Sequence, residues 1–289
     1  MEKEVSIIIP VYNDQERISK CLDACINQST TSLYEIVVID NGSSDGTFNR
    51  CLDFKKKHRN LVRLYQQNLI QSAYASRNSG IEKAKGSILV FTDSDCIPSK
   101  QWLETGVSAL KNQKSGAVAG KIEFFFKSQN PNIWEYIDSS NKLDQKSYVE
   151  NAHYGATANL FVFKDVFKRL GTFNEALKSG GDYEFGQKMK KEGIKLSYKE
   201  NAVVYHPARA TFTEKLEKTK RIAQGQRYLD TGRALKNVAF ALLYSLKPVL
   251  SCPQNNSANL SAFKKLQVVI ILNALKLINV RYRFFAARK

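Results

Sequence analysis

Short apolar segments alternate with segments of helical periodicity through the first hundred residues. Val5 to Val11 is almost entirely apolar, as expected of a strand covered on both faces in a parallel sheet. Next comes a helix-start signal at Asn13-Asp14-Gln15-Glu16, with apolar residues at helical spacing through Ile26. The alternation then repeats, which predicts strands at 35–40, 61–65 and 87–92 and helices at 47–57 and 72–85. Strands that alternate with helices are typical of an α/β fold with a doubly wound, mostly parallel sheet flanked by helices.

The middle of the chain is less regular. Residues 117–126 predict a strand, and the small residues of 154–161 predict a bend that enters another strand. A helix is expected from Gly180-Gly181-Asp182 to about residue 192, and a short strand at 203–206.

Polar side chains follow three of the predicted strands. They are Tyr12-Asn13, the segment 40–43, and Asp93-Ser94-Asp95. Ligands of such sheets bind beyond the carboxyl ends of the strands, and carboxylates together with substrate phosphates hold Mg²⁺ or Mn²⁺. An Asp-Ser-Asp turn that caps the next segment is the alternative for a single motif. The coincidence at three strand ends favours a nucleotide pocket open to a metal ion.

Two common nucleotide-binding signatures are missing. The chain has no G-x-x-x-x-G-K-[ST] loop and no G-x-G-x-x-G after its first strand, so P-loop NTPases and Rossmann dehydrogenases are disfavoured. Without a glycine loop to bind a diphosphate, a metal ion at the carboxylates would have to neutralise it.

Composition indicates a globular protein without a simple membrane span. Hydrophobic residues make up 43% and charged residues 25% of the chain, as in globular proteins with a core. No apolar run reaches about 18 residues, and the N-terminus lacks the pattern of a signal peptide. The five cysteines form no C-x-x-C pair, which favours reduced thiols in the cytoplasm.

Positive charge is concentrated at the C-terminus. The net charge is +17, and from Pro207 onward 16 Lys and Arg stand against three Asp and Glu, so +13 of it lies there. A basic segment of this kind suits an anionic surface, either nucleic acid or the cytoplasmic face of a membrane. A solvated basic tail is the alternative.

The last sixty residues contain two short apolar segments, 238–246 and 266–280. The second would be about 22 Å long as a helix, shorter than the membrane core of about 30 Å. A helical wheel groups its polar residues on one face, with Gln267 as the exception: Lys265, Asn273, Lys276, Asn279 and Arg283. We therefore expect a catalytic domain over 1–230 and a basic amphipathic helical extension over 231–289. The extension would lie on the inner face of the cell membrane or, alternatively, pack on the catalytic domain.

Four stretches of the chain together resemble the family 2 glycosyltransferases of the GT-A fold. They span roughly residues 5–230 and read VSIIIPVYN, EIVVIDNGSSDGT, ASRNSGIEKAKGSILVFTDSDC and LGTFNEALKSGGDYEFGQKMKKEG. The resemblance implies a hexosyltransferase-type enzyme that transfers a sugar from a nucleotide diphosphate sugar to an acceptor hydroxyl with inversion. Mn²⁺ or Mg²⁺ would be the cofactor. A glycan or a lipid-linked molecule would be the acceptor, in glycolipid, polysaccharide or cell-envelope glycan synthesis.

The resemblance also implies roles for individual residues. Tyr12 and Asp40, with Asn41 beside them, would bind the nucleotide base. Asp93 would lie near the ribose and the metal, and Asp95 would be the main metal ligand. The remaining assignments are the donor diphosphate for Arg77, the general base for Asp182, and a less secure metal ligand for His206.

Each of these residue types has a structural alternative. Asp182 could cap the helix that follows it, because Asp is a favoured N-cap. Tyr12 could be a core aromatic, Arg77 a solvated helix residue, and His206 a structural histidine.

Three positions depart from the family pattern. Many members have Asp where this chain has Asn41, and Glu is frequent where it has Gly181. The segment QGQRY at 224–228 is close to the Q-x-x-R-W pattern of processive synthases. Those enzymes carry several transmembrane helices, so we expect single sugar additions here.

Two further readings belong to other functional classes. The first is a catalytically inactive GT-A-like protein that acts as a basic binding or scaffold module, for which a broken carboxylate set is expected. The second is a nucleotidyltransferase, which would want a glycine-rich basic loop near the N-terminus. The carboxylates are all present, PVYNDQERI offers no such loop, and no nucleic acid partner is expected.

Overall fold

The apolar segments form the strands of a mixed β-sheet. The computed structural model describes residues 3–112, 115–140, 143–231, 235–253 and 260–286. Within these ranges the sheet has eight strands. They are β1 (Val5–Val11), β2 (Tyr34–Asp40), β3 (Val62–Gln66), β4 (Ile88–Thr92), β5 (Ile97–Pro98), β6 (Ala117–Phe125), β7 (Asn159–Phe163) and β8 (Leu196–Pro207).

Helices connect and flank these strands. They are α1 (Ile18–Ile26), α2 (Thr47–Lys57), α3 (Ala73–Lys83), α4 (Trp102–Asn112), α5 (Ile133–Ser140), α6 (Gln145–Ala152), α7 (Lys164–Leu170), α8 (Gly181–Lys191), α9 (Phe212–Asp230), α10 (Leu235–Leu246) and α11 (Ala262–Val280). A π-helical turn, Arg281–Phe285, follows α11. The predicted helices and strands of the first hundred residues are present. Their ends are shifted by no more than two residues, except that the first helix begins at Ile18 and not at the start signal of residues 13–16.

The strand order is β3-β2-β1-β4-β7-β6-β8-β5. Strands β3, β2, β1 and β4 are parallel, whereas β4 pairs with β7, β7 with β6, and β5 with β8 in antiparallel register. The predicted α/β architecture is therefore confirmed, with its parallel half at the N-terminus. Because β1, β2 and β4 run in the same direction, their carboxyl ends lie at one edge of the sheet.

Burial explains why the strands differ in sequence. All residues of β1 and β4 are buried, since helices cover both faces of the parallel half. At the edge, β3 buries Val62 and Leu64 while Arg63 and Tyr65 are half-exposed. The edge strand therefore alternates, and the central strands are mostly apolar along their whole length.

The structure extends the predicted strand at 203–206. Strand β8 begins at Leu196, seven residues before the predicted start. Its first half has exposed and half-exposed polar residues such as Lys199, Glu200 and Asn201, which conceal a strand pattern.

The chain forms two compact units. The first comprises Met1–Glu123, Leu143–Ala176 and Gly181–His206, and it contains nearly all of the sheet. The second comprises Phe124–Lys142, Leu177–Gly180 and Pro207–Lys289, and it is mainly helical. The predicted domain boundary after residue 230 stays a prediction.

The polar face predicted for the last helix contacts protein. Asn273 of α11 exchanges hydrogen bonds with the backbone of Val249, and Asn279 donates to Gln226 of α9. Beyond the helix end, Arg283 pairs with Asp230 at 2.8 Å. Large apolar side chains of α11 are exposed instead: Phe263, Leu266, Ile270 and Leu277. Among the helices that the structure describes, none is long and apolar enough to cross a membrane.

One buried amide joins three strands to a helix. Asn159, at the start of β7, is fully buried, and its Oδ1 accepts a hydrogen bond from Trp102 Nε1 of α4 at 2.8 Å. Its Nδ2 donates to the carbonyl oxygens of Lys121 in β6 and Ala202 in β8, at 2.7 and 2.8 Å. A buried polar group that loses its partner costs about 1–3 kcal/mol.

We expect Asn159→Ala to lower the free energy of unfolding by at least about 2 kcal/mol, because it leaves three buried polar groups unpaired. Denaturant unfolding followed by circular dichroism measures this loss. Asn151→Ala removes an exposed amide on α6 and should change stability by no more than about 0.5 kcal/mol. An equal loss in the two variants would contradict the role assigned to Asn159.

Candidate active site

The carboxyl ends of β1, β2 and β4 bring the predicted residues to one edge of the sheet. Asp40 is the last residue of β2 and is paired in register with Val11 of β1, the residue before Tyr12. Asp93 directly follows β4, which is the other neighbour of β1. The three polar clusters predicted from the sequence are therefore neighbours.

The Asp93-Ser94-Asp95 turn lies close to His206, which is more than a hundred residues later in the chain. Strand β5 pairs with β8, Ile97 opposite Tyr205, and this pairing carries His206 to the turn. His206 Nε2 lies 3.9 Å from Asp95 Oδ1. One ligand atom from each of Asp93, Asp95, Cys96 and His206 falls within 4.8 Å of the others.

This donor set suits a hard divalent cation. Two carboxylates and an imidazole are donors that Mn²⁺ accepts, and carboxylate oxygens also suit Mg²⁺. Cys96 is fully buried, and burial together with the charges of Asp95 and Asp93 raises the pKa of its thiol well above the ordinary value. The Cys96 thiol donates to Asp95 Oδ1 at 3.7 Å, and hard cations prefer oxygen ligands to sulfur. Asp93, Asp95 and His206 therefore fit such an ion better than Cys96 does.

Arg77 is a buried cation beside the metal candidates. It lies on α3 with 6% of its surface exposed, and its Nη2 donates to Asp93 Oδ1 at 2.6 Å. Burial opposes its charge, but the carboxylates of Asp93 and Asp182 outweigh burial and raise the pKa of Arg77. Its Nε has no hydrogen-bond partner among the described residues. Arg77 is therefore not a solvated helix residue, and the protein leaves one of its donors without an acceptor among the described residues.

Asp182 lies at the second position of α8 and is partly exposed. Its Oδ2 and Oδ1 accept hydrogen bonds from the backbone N–H and the hydroxyl of Thr157, both at 3.2 Å. Burial raises the pKa of Asp182 above its usual value, while the charge of Arg77 and the Thr157 hydrogen bonds oppose this. Thr157, rather than its own helix, orients this carboxylate.

The contact with Tyr74 explains why this chain has glycine at position 181. Its N–H donates to the hydroxyl of Tyr74 at 3.0 Å, and a Cβ at this position would lie 2.7 Å from Tyr74 Cζ. The Tyr74 ring also lies under the Arg77 guanidinium, whose Cζ is 5.4 Å from the ring centroid. Tyr74 thus fills the space that a larger residue before Asp182 would require.

The nucleotide-binding candidates differ in availability. Asp40 is fully buried, and its Oδ2 accepts from the Ser43 N–H at 3.2 Å. Its Oδ1 has no hydrogen-bond partner within the described ranges, which leaves a buried acceptor unsatisfied at the end of β2. The Tyr12 ring is 50% exposed, which excludes a core role and leaves its face open for stacking.

Asn41 is already engaged by the protein. Its Nδ2 donates to the carbonyl oxygens of Gln67 and Ile70 at 2.7 and 3.0 Å, and its Oδ1 accepts from the Ser72 N–H at 2.9 Å. Ser72 is the N-cap of α3, the helix of Arg77. Asn41 therefore fixes the loop before α3, and direct contact with a nucleotide stays a prediction.

Comparison with known proteins identifies the family. The family model for glycosyl transferase family 2 matches residues 6–171 of this chain. The chain belongs to this family. It is a glycosyltransferase, an enzyme that uses a nucleotide sugar as its donor.

Curated relatives carry the same activity in their names. Glycosyltransferase AglE of Haloferax volcanii is 40% identical over 223 residues, which cover 77% of this chain and 72% of AglE. The dolichyl N-acetyl-alpha-D-glucosaminyl phosphate 3-beta-D-2,3-diacetamido-2,3-dideoxy-beta-D-glucuronosyltransferase of Methanococcus voltae is 26% identical. That match covers 74% of this chain and 70% of the relative.

A solved structure shares the fold. The mannosyltransferase PcManGT from Pyrobaculum calidifontis, in complex with GDP-Man and Mn²⁺, superimposes with a TM-score of 0.68 at 17% identity. The superposition covers 99% of this chain and 89% of PcManGT. Similarity at this level shows the GT-A fold.

Sequence patterns did not reveal several residues that organise the site of this glycosyltransferase. Residues 13–16 predict a helix start, but α1 begins at Ile18 without a side-chain cap. Asp14 is instead buried and accepts from Ser94 Oγ at 2.6 Å and from Arg17 Nε at 2.5 Å. Arg17 Nη1 also lies 3.5 Å from Asp95 Oδ2. Tyr74 and Thr157 carried no signal, since their partner at 181–182 is distant in the chain.

We expect Thr157→Val to move the acid limb of the kcat/KM pH profile to higher pH. If Asp182 is the general base that the family resemblance implies, it works only when ionised, and activity falls as pH decreases through the pKa of Asp182. The variant removes a hydroxyl that stabilises the ionised form, and the pKa therefore rises further. Thr157→Ser keeps the donor and should keep the wild-type profile. A limb that moves to lower pH in Thr157→Val would refute the contact.

Proposed function

We propose that this enzyme is an inverting, metal-dependent glycosyltransferase that moves a sugar from a nucleotide diphosphate sugar to an acceptor hydroxyl. The observation that carries the proposal is the buried Arg77, which hydrogen-bonds to Asp93 beside the metal candidates and interacts electrostatically with Asp182. Sugar transfer needs a positive charge that stabilises the leaving diphosphate and a base that deprotonates the acceptor hydroxyl. These two groups must lie side by side.

The donor nucleotide binds at the ends of β1 and β2. The exposed face of Tyr12 stacks on the base, and the free Oδ1 of Asp40 accepts a hydrogen bond from a base N–H. Buried acceptors without partners are rare and costly in proteins. A ligand that supplies a donor to Asp40 removes this cost, which supports the assignment.

The donor diphosphate lies against Arg77 and the metal candidates. Asp95, Asp93 and His206 would hold Mn²⁺ or Mg²⁺, which when bound stabilises the developing charge of the leaving diphosphate as a Lewis acid. The unpaired Nε of Arg77 donates to a diphosphate oxygen, and a charge-assisted bond of this kind is stronger than a neutral one.

Asp182 acts as the general base. A carboxylate oxygen removes the proton from the acceptor hydroxyl as that oxygen attacks the anomeric carbon. The bond from this carbon to the diphosphate breaks on the opposite side, which inverts the configuration. The raised pKa of Asp182 makes it a stronger base than an exposed aspartate, and Thr157 holds it in place.

The exposed apolar residues of α11 and the names of two relatives support an acceptor that lies close to the membrane. We propose that the enzyme is cytoplasmic, is held at the inner face of the cell membrane by the exposed apolar stripe of α11, and makes single additions to a glycan or lipid-linked acceptor. Two relatives have names that specify phosphate-bearing acceptors, the Methanococcus voltae enzyme and the poly(ribitol-phosphate) beta-glucosyltransferase of Bacillus spizizenii. The latter is 27% identical and matched over 33% of its length, 67% of this chain.

The scaffold alternative is disfavoured. A protein that had lost catalysis would not need unpaired polar atoms in its interior, because they destabilise the fold. Here Asp40 Oδ1 and Arg77 Nε are both buried and unpaired among the described residues, and the carboxylates at 93, 95 and 182 are all present.

Nucleotide release tests the proposal. The purified enzyme is incubated with UDP-, GDP- and dTDP-sugars and Mn²⁺ or Mg²⁺. We expect Asp182→Asn to lower kcat by about 10²–10⁴-fold, the usual contribution of a positioned base. Asp95→Asn should lower it at least about 100-fold and raise the Mn²⁺ concentration needed for half-maximal rate.

Asp53→Asn is the matched control, since Asp53 is an exposed carboxylate on α2, and it should leave turnover and metal dependence unchanged. Wild-type turnover in both the Asp95 and Asp182 variants would overturn the assigned site.

Membrane attachment has its own test. We expect Ile270→Glu to reduce co-sedimentation with vesicles containing anionic lipid about tenfold or more, because burial of one large apolar side chain contributes roughly 1.5–3 kcal/mol. Leu69→Glu changes a residue that is 95% exposed outside the C-terminal helices and serves as the control. Identical vesicle binding by wild type and the Ile270 variant would rule out this face as the attachment surface.

A further inference from the structure

A buried carboxylate in the second unit is surrounded by three cations. Asp138 of α5 is fully buried. Its Oδ1 accepts from Lys215 Nζ at 2.7 Å and from Lys218 Nζ at 2.9 Å. Its Oδ2 accepts from the backbone N–H and Nη1 of Arg209 at 3.1 and 3.2 Å. We call these four residues the Asp138 cluster.

The positive charge of the Asp138 cluster exceeds what its carboxylate neutralises. With both lysines protonated, three cations against one anion leave two uncompensated charges, and buried charges are costly unless paired. Burial, followed by the charge of Arg209, lowers the pKa of Lys218 to about 7, while Asp138 opposes this change. Burial also lowers the pKa of Lys215. The cluster is therefore short of negative charge.

Its N–H donors are also underused. The side chain of Lys215 is 5% exposed and that of Lys218 is 14% exposed. Each ammonium group has three N–H donors, yet within the described ranges each makes one hydrogen bond, to Asp138. Buried donors are normally satisfied, so an acceptor with several oxygens would satisfy the unused N–H groups of the two lysines.

We propose that Arg209, Lys215 and Lys218 form an anion-binding site that takes a phosphate group. A phosphate carries up to two negative charges and three or more acceptor oxygens, which matches both the charge excess and the unused donors. Arg209, whose side chain is 21% exposed, provides the route from solvent and a planar donor group suited to phosphate. The site belongs to the second unit and shares no residue with the Asp182 and Asp95 site.

The competing explanation is that the three cations only hold the segment 209–218 on α5. Under that explanation an added anion finds no free donors, and the removal of Lys218 leaves anion binding unchanged. The two explanations also predict different effects of the Asp138→Asn substitution on phosphate affinity. If phosphate binds, the carboxylate competes with it, and Asp138→Asn tightens phosphate binding.

Isothermal titration of the full chain with inorganic phosphate, at constant ionic strength against chloride, tests the site. We expect Lys218→Gln to weaken binding at least tenfold. Lys220→Gln removes a cation from the same helix that pairs with exposed Glu217, and it should bind like wild type. Arg77→Gln removes phosphate binding at the proposed donor site and should leave the Lys218-dependent binding unchanged.

Asp138→Asn should bind phosphate more tightly and show a larger phosphate-dependent increase in Tm than wild type. If this variant does not fold, the Lys218→Gln and Lys220→Gln comparison decides alone. Equal phosphate affinity in these two lysine variants, or a loss only in Arg77→Gln, would overturn the proposal.

Competition identifies the source of the phosphate. If farnesyl phosphate displaces inorganic phosphate from wild type, and this preference is lost in Lys218→Gln, the site takes a phosphate carried by a lipid. Displacement by farnesyl phosphate no stronger than by inorganic phosphate itself supports a soluble phosphate group. Phosphate binding is measured without turnover, so failure of the phosphate site leaves the proposed glycosyl transfer intact. An enzyme that binds phosphate but has no transferase activity would support the phosphate site and contradict the proposed function.

Discussion

The active site depends on one buried guanidinium. Arg77 interacts with Asp93 after β4 and with Asp182 on α8, two elements that are distant in the chain. A buried cation requires such partners, and the carboxylates repel one another without it. The Arg77 charge therefore holds both acids close together. The position of α3 depends in turn on Asn41, which binds the loop at the N-cap Ser72.

The fold could be predicted where burial leaves a simple pattern. The parallel strands β1 and β4 are buried throughout, so their apolar runs identified them, and the intervening helices followed from their spacing. Prediction was poorer in the antiparallel half. Half of β8 is polar and partly exposed, β5 is two residues long, and α4 to α7 were not predicted. Their formation depends on tertiary pairing more than on local sequence.

The site was predictable in its residue types but not in its contacts. The strand ends located Tyr12, Asp40 and the Asp93-Ser94-Asp95 turn, and the family resemblance added Asp182 and His206. The partners that orient them come from long-range packing: Thr157 for Asp182, and Tyr74 for the turn at Gly181. A hydroxyl or an aromatic ring in these places has no spacing rule. Only the folded chain shows why Gly181 accommodates Tyr74.

The basic C-terminal region is less uniform than its net charge suggests. Arg209, Lys215 and Lys218 surround Asp138, and Arg283 pairs with Asp230. These cations face protein, so they cannot all contribute to a long-range attraction for an anionic surface, and exposed charges are screened within about 8 Å at physiological salt. The outward face of α11 is instead apolar, with Leu266 and Ile270 more than half exposed. An interfacial role for this helix therefore rests on burial of apolar area in lipid, to which charge adds only a smaller part.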